Sequence, residues 1–365
     1  MRLVSHTDMG FLTLTSLCLV LCTLFGCAIV GPSSISMGRA NYNEAINKTE
    51  DEQMLLSIVK GRYGETFSLL VVGSVTASIL FSASIGANVG IGSQENYSGN
   101  LVPLSVRVVY EENPTISYSP VQSEKYLRYF LSPVPLETLT LILHGSIDPA
   151  MYFNLLVYRI NDIQNQDFLD PPFAKTDYRF QRIVELYSEL YQAGIIYWLA
   201  NPKENKSIEI LITGYAPNYS EKVGEYLRLL GLPMPKDVSE DILIPVYFAV
   251  KGRENGISIS TRSTFNLIEI LRATVEIPQE QADIGLARNY PKPGLAGKDI
   301  HIYSSKDKPT HATVAVRHHG YWFYIDDTDI HTKLFYNLVR MLWSANIASA
   351  TDQLATPVLT IPVSR

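Results

Sequence analysis

Histidine and aspartate residues that could bind a metal ion lie close together near a hairpin predicted in the C-terminal part of the chain. Pairing Arg317 with Trp322 in that hairpin brings His311 close to the aspartates that follow the second strand. Imidazole nitrogens and carboxylate oxygens are ligands that zinc and manganese accept. The pattern therefore offers one candidate metal site, built from His311, Asp327, Asp329 and His331.

The same aspartates have a structural interpretation, which we favour. A helix is predicted to begin near Asp329, and acidic residues at a helix N-terminus cap free N–H groups and complement the helix dipole. His318 and His319 form the tip of the hairpin, about 20 Å from Asp326, because a strand rises ~3.3 Å per residue. We expect these two histidines to be ordinary surface residues of a turn, outside the candidate site.

No short catalytic motif accompanies these residues. The chain has neither a Gly-x-Ser-x-Gly nucleophile elbow nor a His-Glu-x-x-His zinc motif. The neighbouring Glu111 and Glu112 would point to opposite faces of a strand, so they do not form an acid/base pair. We therefore expect no cofactor and no enzymatic activity, although residues distant in sequence can still assemble a catalytic site.

The cysteines are confined to the N-terminus, at Cys18, Cys22 and Cys27. An uncharged stretch from Gly10 to Gly26 ends in Leu-Phe-Gly-Cys, and it is shorter than the ~20 residues of a transmembrane helix. The ending resembles the bacterial lipobox, although Phe25 is bulky for its position. The resemblance implies cleavage between Gly26 and Cys27, acylation of Cys27, and sorting to the outer membrane because Ala28 follows.

The composition is that of a folded protein. The 365 residues are 46% hydrophobic and 18% charged, which allows a sizeable core. The net charge is −6, with both signs spread along the chain, so no basic surface for nucleic acid is expected. We expect a signal peptide over 1–26, a lipidated tether over 27–40, a helix with a long hairpin over 41–120, and an α+β body over 121–365.

Residues 75–92 alternate apolar with small or polar side chains, with Leu80 as the exception, and 102–111 alternate similarly except at Val109. A period of two predicts strands, and the two runs predict a long amphipathic β-hairpin. Membrane-crossing strands need ~9–11 such residues, which makes this hairpin a candidate for membrane insertion in a ring of subunits. The alternative, which we favour, is a hairpin packed on the protein's own helices. The apolar residues that would face lipid are Val75, Ile79, Phe81, Ile85 and Val89.

Helical and strand patterns alternate over the rest of the chain, which predicts an α+β fold with a helical middle. Hairpin-then-helix units are expected twice in the C-terminal half, over 244–274 and 313–346. The predicted helices include 42–62, 123–131, 136–143, 149–160, 177–193 and 221–230, and a strand pair is predicted over 195–199 and 208–213.

Several phrases of the chain resemble those of a family of uncharacterised lipoproteins from Gram-negative bacteria. The resemblance covers most of the expected mature chain and implies a lipid anchor and an envelope location, without implying an activity. The phrases are GRANYNEAINKTEDEQMLLSIVKGRYGE (38–65), PTISYSP (114–120), LSPVPLETLTLIL (131–143), RINDI (159–163), RHHGYWFYIDDTD (317–329) and PVLTIPV (357–363).

These observations predict a lipoprotein anchored to the outer membrane through acylated Cys27 and facing the periplasm. We expect a structural or assembly role in the cell envelope, with envelope proteins as partners and self-association as an option. One alternative is an oligomeric pore or secretion-channel subunit that inserts the hairpin 75–110. A further alternative is a periplasmic hydrolase or metalloenzyme.

Overall fold

A computed structural model describes residues 40–66, 70–76, 79–87, 104–112, 115–120, 124–169, 177–200, 208–237, 240–249, 256–351 and 359–362. The predicted signal peptide, Gly26, Cys27, the tether up to residue 39 and Val89 lie outside the described residues. The chain divides into two compact units, Met1–Gln53 and Met54–Arg365. Helices and sheets both contribute to the described part, which confirms the α+β class.

Most of the helices follow the apolar periodicity of the sequence. The helix predicted over 149–160 ends at Leu156, where a short strand follows, and the short helix Gln279–Asp283 was not predicted. Among the described residues, no helix is both long enough and apolar enough to cross a lipid bilayer. The helices are α1 (residues 40–62), α2 (Glu124–Leu131), α3 (Leu136–Gly145), α4 (Pro149–Leu156), α5 (Tyr178–Gln192), α6 (Ser220–Leu229), α7 (Thr264–Ala273), α8 (Gln279–Asp283) and α9 (Ile330–Thr351).

The strands form several sheets, of which the largest has six strands. In chain order they are β1 (Leu70–Thr76), β2 (Ile79–Ala87), β3 (Leu104–Glu112), β4 (Thr115–Pro120), β5 (Val157–Ile160), β6 (Ile163–Gln164), β7 (Phe168–Leu169), β8 (Ile196–Ala200), β9 (Ile208–Ile212), β10 (Ile242–Phe248), β11 (Ile257–Thr261), β12 (Lys292–Pro293), β13 (Tyr303–Ser305), β14 (Ala312–His318), β15 (Tyr321–Asp326) and β16 (Leu359–Pro362).

The alternating segment contains two strands with different partners. β1 pairs with β4, and β2 pairs with β3 over nine residue pairs. The two pairings have the same register. From the pair Thr76↔Thr115 to the pair Ile79↔Glu112, the position rises by three in one strand and falls by three in the other. Of the membrane candidates, Val75 lies in β1, and Ile79, Phe81 and Ile85 lie in β2.

The C-terminal strand β16 adds to the same sheet, because it pairs antiparallel with β4. Two of the phrases that carry the family resemblance, at 114–120 and 357–363, therefore contribute neighbouring strands. A boundary was predicted between 41–120 and 121–365, and the pairing of β4 with β16 joins residues from both sides of it.

The six-stranded sheet has the order β6-β5-β11-β10-β9-β8. The predicted pair over 195–199 and 208–213 is confirmed as β8 and β9, in which Ile196 pairs with Ile212. The hairpin predicted over 244–262 is wrong, because β10 and β11 run parallel, with Val246 beside Ile257. β11 lies between β10 and β5 and runs antiparallel to β5. This direction depends on the arrangement of the whole sheet, so the residues next to the strand do not predict it.

Helices α3, α4 and α5 pack against one side of this sheet. Their contact surface is aromatic: the ring of Phe153 lies 6.2 Å from Phe180, 5.1 Å from Tyr187 and 6.1 Å from Trp198. All four side chains are buried. Burying one such side chain stabilises the fold by ~1.5–3 kcal/mol, so this cluster is a major part of the core.

The last hairpin is confirmed, with Arg317 opposite Trp322 as predicted and α9 after it. One register shift between Ala312 and Val314 alters the pairing at its open end. The hairpin belongs to a three-stranded sheet with the order β13-β15-β14. Its turn lies at His319 and Gly320, at the opposite end from the shift.

Candidate functional site

The end of helix α1 determines where Glu65 lies. Gly64 has a positive φ of 76°, which a glycine adopts without steric cost. The Glu65 N–H donates to the carbonyl of Lys60 at 2.9 Å, and the Gly64 N–H donates to that of Gly61 at 3.1 Å. These two bonds form a Schellman motif, which reverses the chain after the helix and places Glu65 directly beyond it.

The turn between β14 and β15 determines where the two histidines lie. His319 and Gly320 both have positive φ, at 44° and 85°, between the paired residues His318 and Tyr321. Two consecutive residues of this kind make a type I′ turn. In a regular strand, neighbouring side chains point to opposite faces. The left-handed conformation of His319 removes that alternation and allows both rings to reach the same carboxylate.

Glu65, His318 and His319 form a compact group, although 254 residues separate Glu65 from His319. The Nε2 atom of His319 lies 2.8 Å from Oε1 of Glu65, and Nε2 of His318 lies 3.3 Å from the same oxygen. The two imidazole rings are 4.2 Å apart between centroids. One ligand atom from each residue fits within a common distance of 4.8 Å, which is the arrangement of a three-donor metal site.

The histidines differ in burial and in hydrogen bonding. The side chain of His318 is 11% exposed, whereas those of His319 and Glu65 are each 36% exposed. His319 donates its Nε2–H to the carboxylate. Although Nε2 of His318 is close to the same oxygen, it is buried and has no hydrogen-bond partner in an aligned geometry. The Nε2 atom of His319 therefore has a hydrogen-bond partner, whereas that of His318 forms no aligned hydrogen bond.

Tyr63 and Gln281 hold the group in place. The Tyr63 ring lies 5.1 Å from His318 and 5.0 Å from His319. The Tyr63 hydroxyl donates to the side-chain carbonyl of Gln281, and the amide of Gln281 donates to the backbone carbonyl of His319 at 3.0 Å. Gln281 is 7% exposed, so α8 supplies a buried support for the turn.

The environment shifts the proton affinities of the group. Burial lowers the pKa of His318, while the nearby Glu65 carboxylate raises it and the charges of His319 and Lys60 lower it. Burial raises the pKa of Glu65, but the hydrogen bond from His319 and the charges of His318, His319 and Lys60 together bring it below its usual value. Burial also raises the pKa of Tyr63 to about 12. Near neutral pH, a neutral His318 therefore faces a charged carboxylate.

The residues predicted as a metal site are not brought together. Asp329 accepts hydrogen bonds from the backbone N–H of Thr332 at 3.0 Å and from its hydroxyl at 2.7 Å, which confirms the capping interpretation. Asp327 accepts from Thr313 at 2.8 Å. Across the described ranges, Glu65, His318 and His319 are the one group of three metal-ligating residues, so His311, Asp327, Asp329 and His331 do not form such a group.

The expectation that His318 and His319 are ordinary surface-turn residues is wrong for His318, whose ring is largely buried. The local signals for the true arrangement were present. Tyr-Gly-Glu after a helical pattern is typical of a C-terminal cap, and a glycine after two histidines is typical of a tight turn. The contact between Glu65 and the turn is long-range, and no local pattern predicts it.

The six-stranded sheet has a second face, which we call the open sheet face. Tyr197, Leu211 and Leu243 form one row across β8, β9 and β10. Most of the residues beside them are buried, so this row points the other way; the buried ones are Ile196, Trp198, Ile210, Ile212 and Ile244. Leu243 is 56% exposed and Tyr197 is 39% exposed. The face comprises Tyr197, Leu199, Glu209, Leu211, Leu243, Pro245 and Tyr247.

Comparisons with protein-family models, with curated proteins and with solved structures find no match for the chain.

Proposed function

We propose that this protein is a lipoprotein, anchored by acylated Cys27 at the periplasmic side of the outer membrane, that binds an envelope protein through the open sheet face. The proposal combines the lipobox-like ending at Gly26-Cys27 with the character of that face. The first residue of α1 lies thirteen positions after Cys27, and such a segment spans at most ~45 Å. The tether would keep the folded part near the membrane, where a partner would be met.

The binding role is supported by apolar surface that is exposed at Tyr197, Leu199 and Leu243 and continues over the partly exposed Leu211 between them. A row of Tyr197, Leu211 and Leu243 lies next to a row of Leu199, Glu209 and Pro245. Contiguous apolar surface of this kind on a folded protein is typical of an interaction site. Within the described strands, β8 is an edge and pairs with β9 alone, so it also offers backbone groups to a partner strand.

A photo-crosslinking amino acid placed in the full chain in cells tests this proposal. Leu199 and Leu243 are the probe positions, and Leu141 is the matched control, because it is 71% exposed on α3, away from the open sheet face. We expect one adduct of the same mass from both probe positions and none from Leu141. Leu243→Asp should remove the adduct formed at Leu199, whereas Leu141→Asp should leave it.

Three results would contradict the proposal. They are an equal adduct at the Leu141 position, the absence of any adduct from both probe positions, and an adduct with twice the mass of the chain. The last result would replace an unlike partner by a second copy of this protein.

A second candidate is an oligomeric pore subunit that inserts the hairpin. It is favoured by the nine register pairs of β2 and β3, because a membrane-crossing strand takes ~9–11 residues. Open edges require a ring of such hairpins. Charged substitutions at Ile79, Phe81 and Ile85 should then abolish detergent-resistant oligomers while the monomer stays folded. A detergent extract that contains monomers alone would exclude this candidate.

A further inference from the structure

We propose that Glu65, His318 and His319 bind one zinc ion, which would join the end of α1 to the turn between β14 and β15. The two imidazole nitrogens and one carboxylate oxygen are a donor set that zinc accepts, with three protein ligands and a fourth position for water. This site is independent of the proposed partner-binding face, and it consists of residues other than those the sequence offered as metal ligands.

The distances suit a zinc ion. Zinc binds nitrogen and oxygen at about 2.0–2.2 Å, so neighbouring ligand atoms around a tetrahedral ion are about 3.3 Å apart. The His318 nitrogen is 3.3 Å from the Glu65 oxygen, and the His319 nitrogen is 2.8 Å from it. A movement of about half an ångström at His319 would bring its nitrogen to the tetrahedral distance from the Glu65 oxygen, and all three ligand atoms already lie within 4.8 Å of one another. His319 would carry its proton on Nδ1 instead of Nε2, so that Nε2 offers a lone pair.

Besides the distances, the buried Nε2 atom of His318 points to a ligand. It lies 3.3 Å from the Glu65 oxygen but forms no aligned hydrogen bond, which is unfavourable and rare for a buried polar atom. A zinc ion would satisfy this nitrogen directly. Desolvation also favours the neutral imidazole, which is the form that binds a metal.

The contacts around the turn support the same conclusion. Gln281 and Tyr63 restrain the turn and the rings from outside the ligand set. Supporting contacts of this kind orient metal ligands in proteins. The partly exposed side of the group, at Glu65 and His319, leaves a path for the ion and room for a water ligand.

The test uses the full-length gene product as isolated from cells in detergent, without a polyhistidine tag and stripped of metal with a chelator. Zinc chloride is titrated in a calorimeter, and we expect saturable binding of one ion per chain. His319→Asn and Glu65→Gln should each weaken binding by roughly 100-fold or more, because loss of a ligand should exceed the 10–100-fold effect of losing a supporting residue. Cobalt in place of zinc should give the intense visible absorption of a tetrahedral site.

His319→Asn keeps the turn, since asparagine tolerates the left-handed conformation, and its metal-free melting temperature should match that of the wild type. His311→Asn is the matched control and should leave zinc affinity unchanged. Failure of the wild type to bind one zinc ion would overturn the proposal. Unchanged affinity in both His319→Asn and Glu65→Gln would also overturn it, and so would a loss confined to His311→Asn.

Discussion

Replacing Arg262 by methionine is expected to destabilise the fold severely, although the two side chains have similar length. Arg262 is 1% exposed at the end of β11. Its Nε–H donates to the carboxylate of Asp167, and its Nη1 donates to the carbonyls of Asn154, Leu155 and Val157 at 3.0, 2.8 and 3.0 Å. Its Nη2 donates to the carbonyl of Asn165 at 2.6 Å. One guanidinium thus joins α4, β5 and the loop after β6.

The size of the effect follows from what methionine leaves behind. Removing one partner of a buried ion pair costs about 3–5 kcal/mol, because the other charge stays buried. Asp167 would be that charge, with a side chain 15% exposed. The carbonyls of Asn154 and Val157 keep a donor in the amide of Asn165. The carbonyls of Leu155 and Asn165 lose the donors that Arg262 supplies. Each unsatisfied buried carbonyl adds about 1–3 kcal/mol, so the stranded charge and the two carbonyls together predict a loss of roughly 5–11 kcal/mol.

Denaturation in urea, followed by far-ultraviolet circular dichroism, measures the free energy of unfolding by linear extrapolation. The double variant Arg262→Met, Asp167→Asn should recover part of the loss, because it removes the stranded charge. Arg128→Met is the surface control. Its partner Glu124 is 3.0 Å away, both side chains are mostly exposed, and the expected change is within about 1 kcal/mol.

A loss of less than about 1 kcal/mol in Arg262→Met, at an unchanged denaturant dependence, would refute this reasoning, since it falls far below the cost of a broken buried pair. It would mean that water or a rearranged side chain replaces the guanidinium. Equal destabilisation by Arg128→Met and Arg262→Met would refute it as well.

Two further predictions concern the anchor and the histidine group. Cys27→Ser should leave the chain without its lipid and release it from membranes, and a variant that keeps normal mass and membrane retention would contradict the anchor. The fold should lose stability as the pH falls below 6.5, because burial and the charges of His319 and Lys60 outweigh Glu65 and lower the pKa of His318 from that value. The unfolded chain then binds the proton more readily than the folded chain. His318→Asn should flatten the slope of unfolding free energy against pH below pH 6.5, and an unchanged slope would argue against this assignment.

Local signals predicted much of the fold. Helix α7 begins after Ser263, whose hydroxyl accepts from the Asn266 N–H at 3.2 Å, while the Asn266 side chain accepts from the Ser263 N–H at 3.1 Å. This reciprocal cap depends on residues three apart, which the sequence displays directly. The pairing of Arg317 with Trp322 was also predicted, because a short turn fixes the register of a hairpin. Each of these features depends on residues that are neighbours along the chain.

Other features depend on residues that are distant along the chain. The parallel pairing of β10 and β11 was predicted wrongly, because alternation records which side chains are buried and carries no information on strand direction. The burial of Arg262 could not be anticipated either, since an arginine is usually exposed, and carbonyls more than a hundred residues away bind it.

The candidate metal group shows most clearly which features depend on residues close in sequence and which depend on residues far apart. By itself, the sequence determined that a helix ends before Gly64 and that a tight turn follows His318, because caps and turns are local hydrogen-bonded structures. Only the tertiary structure decided that Glu65 meets His318 and His319. That contact results from packing the part of α1 from Met54 onward and the last hairpin into one core, and the free energy of such packing is summed over many residues.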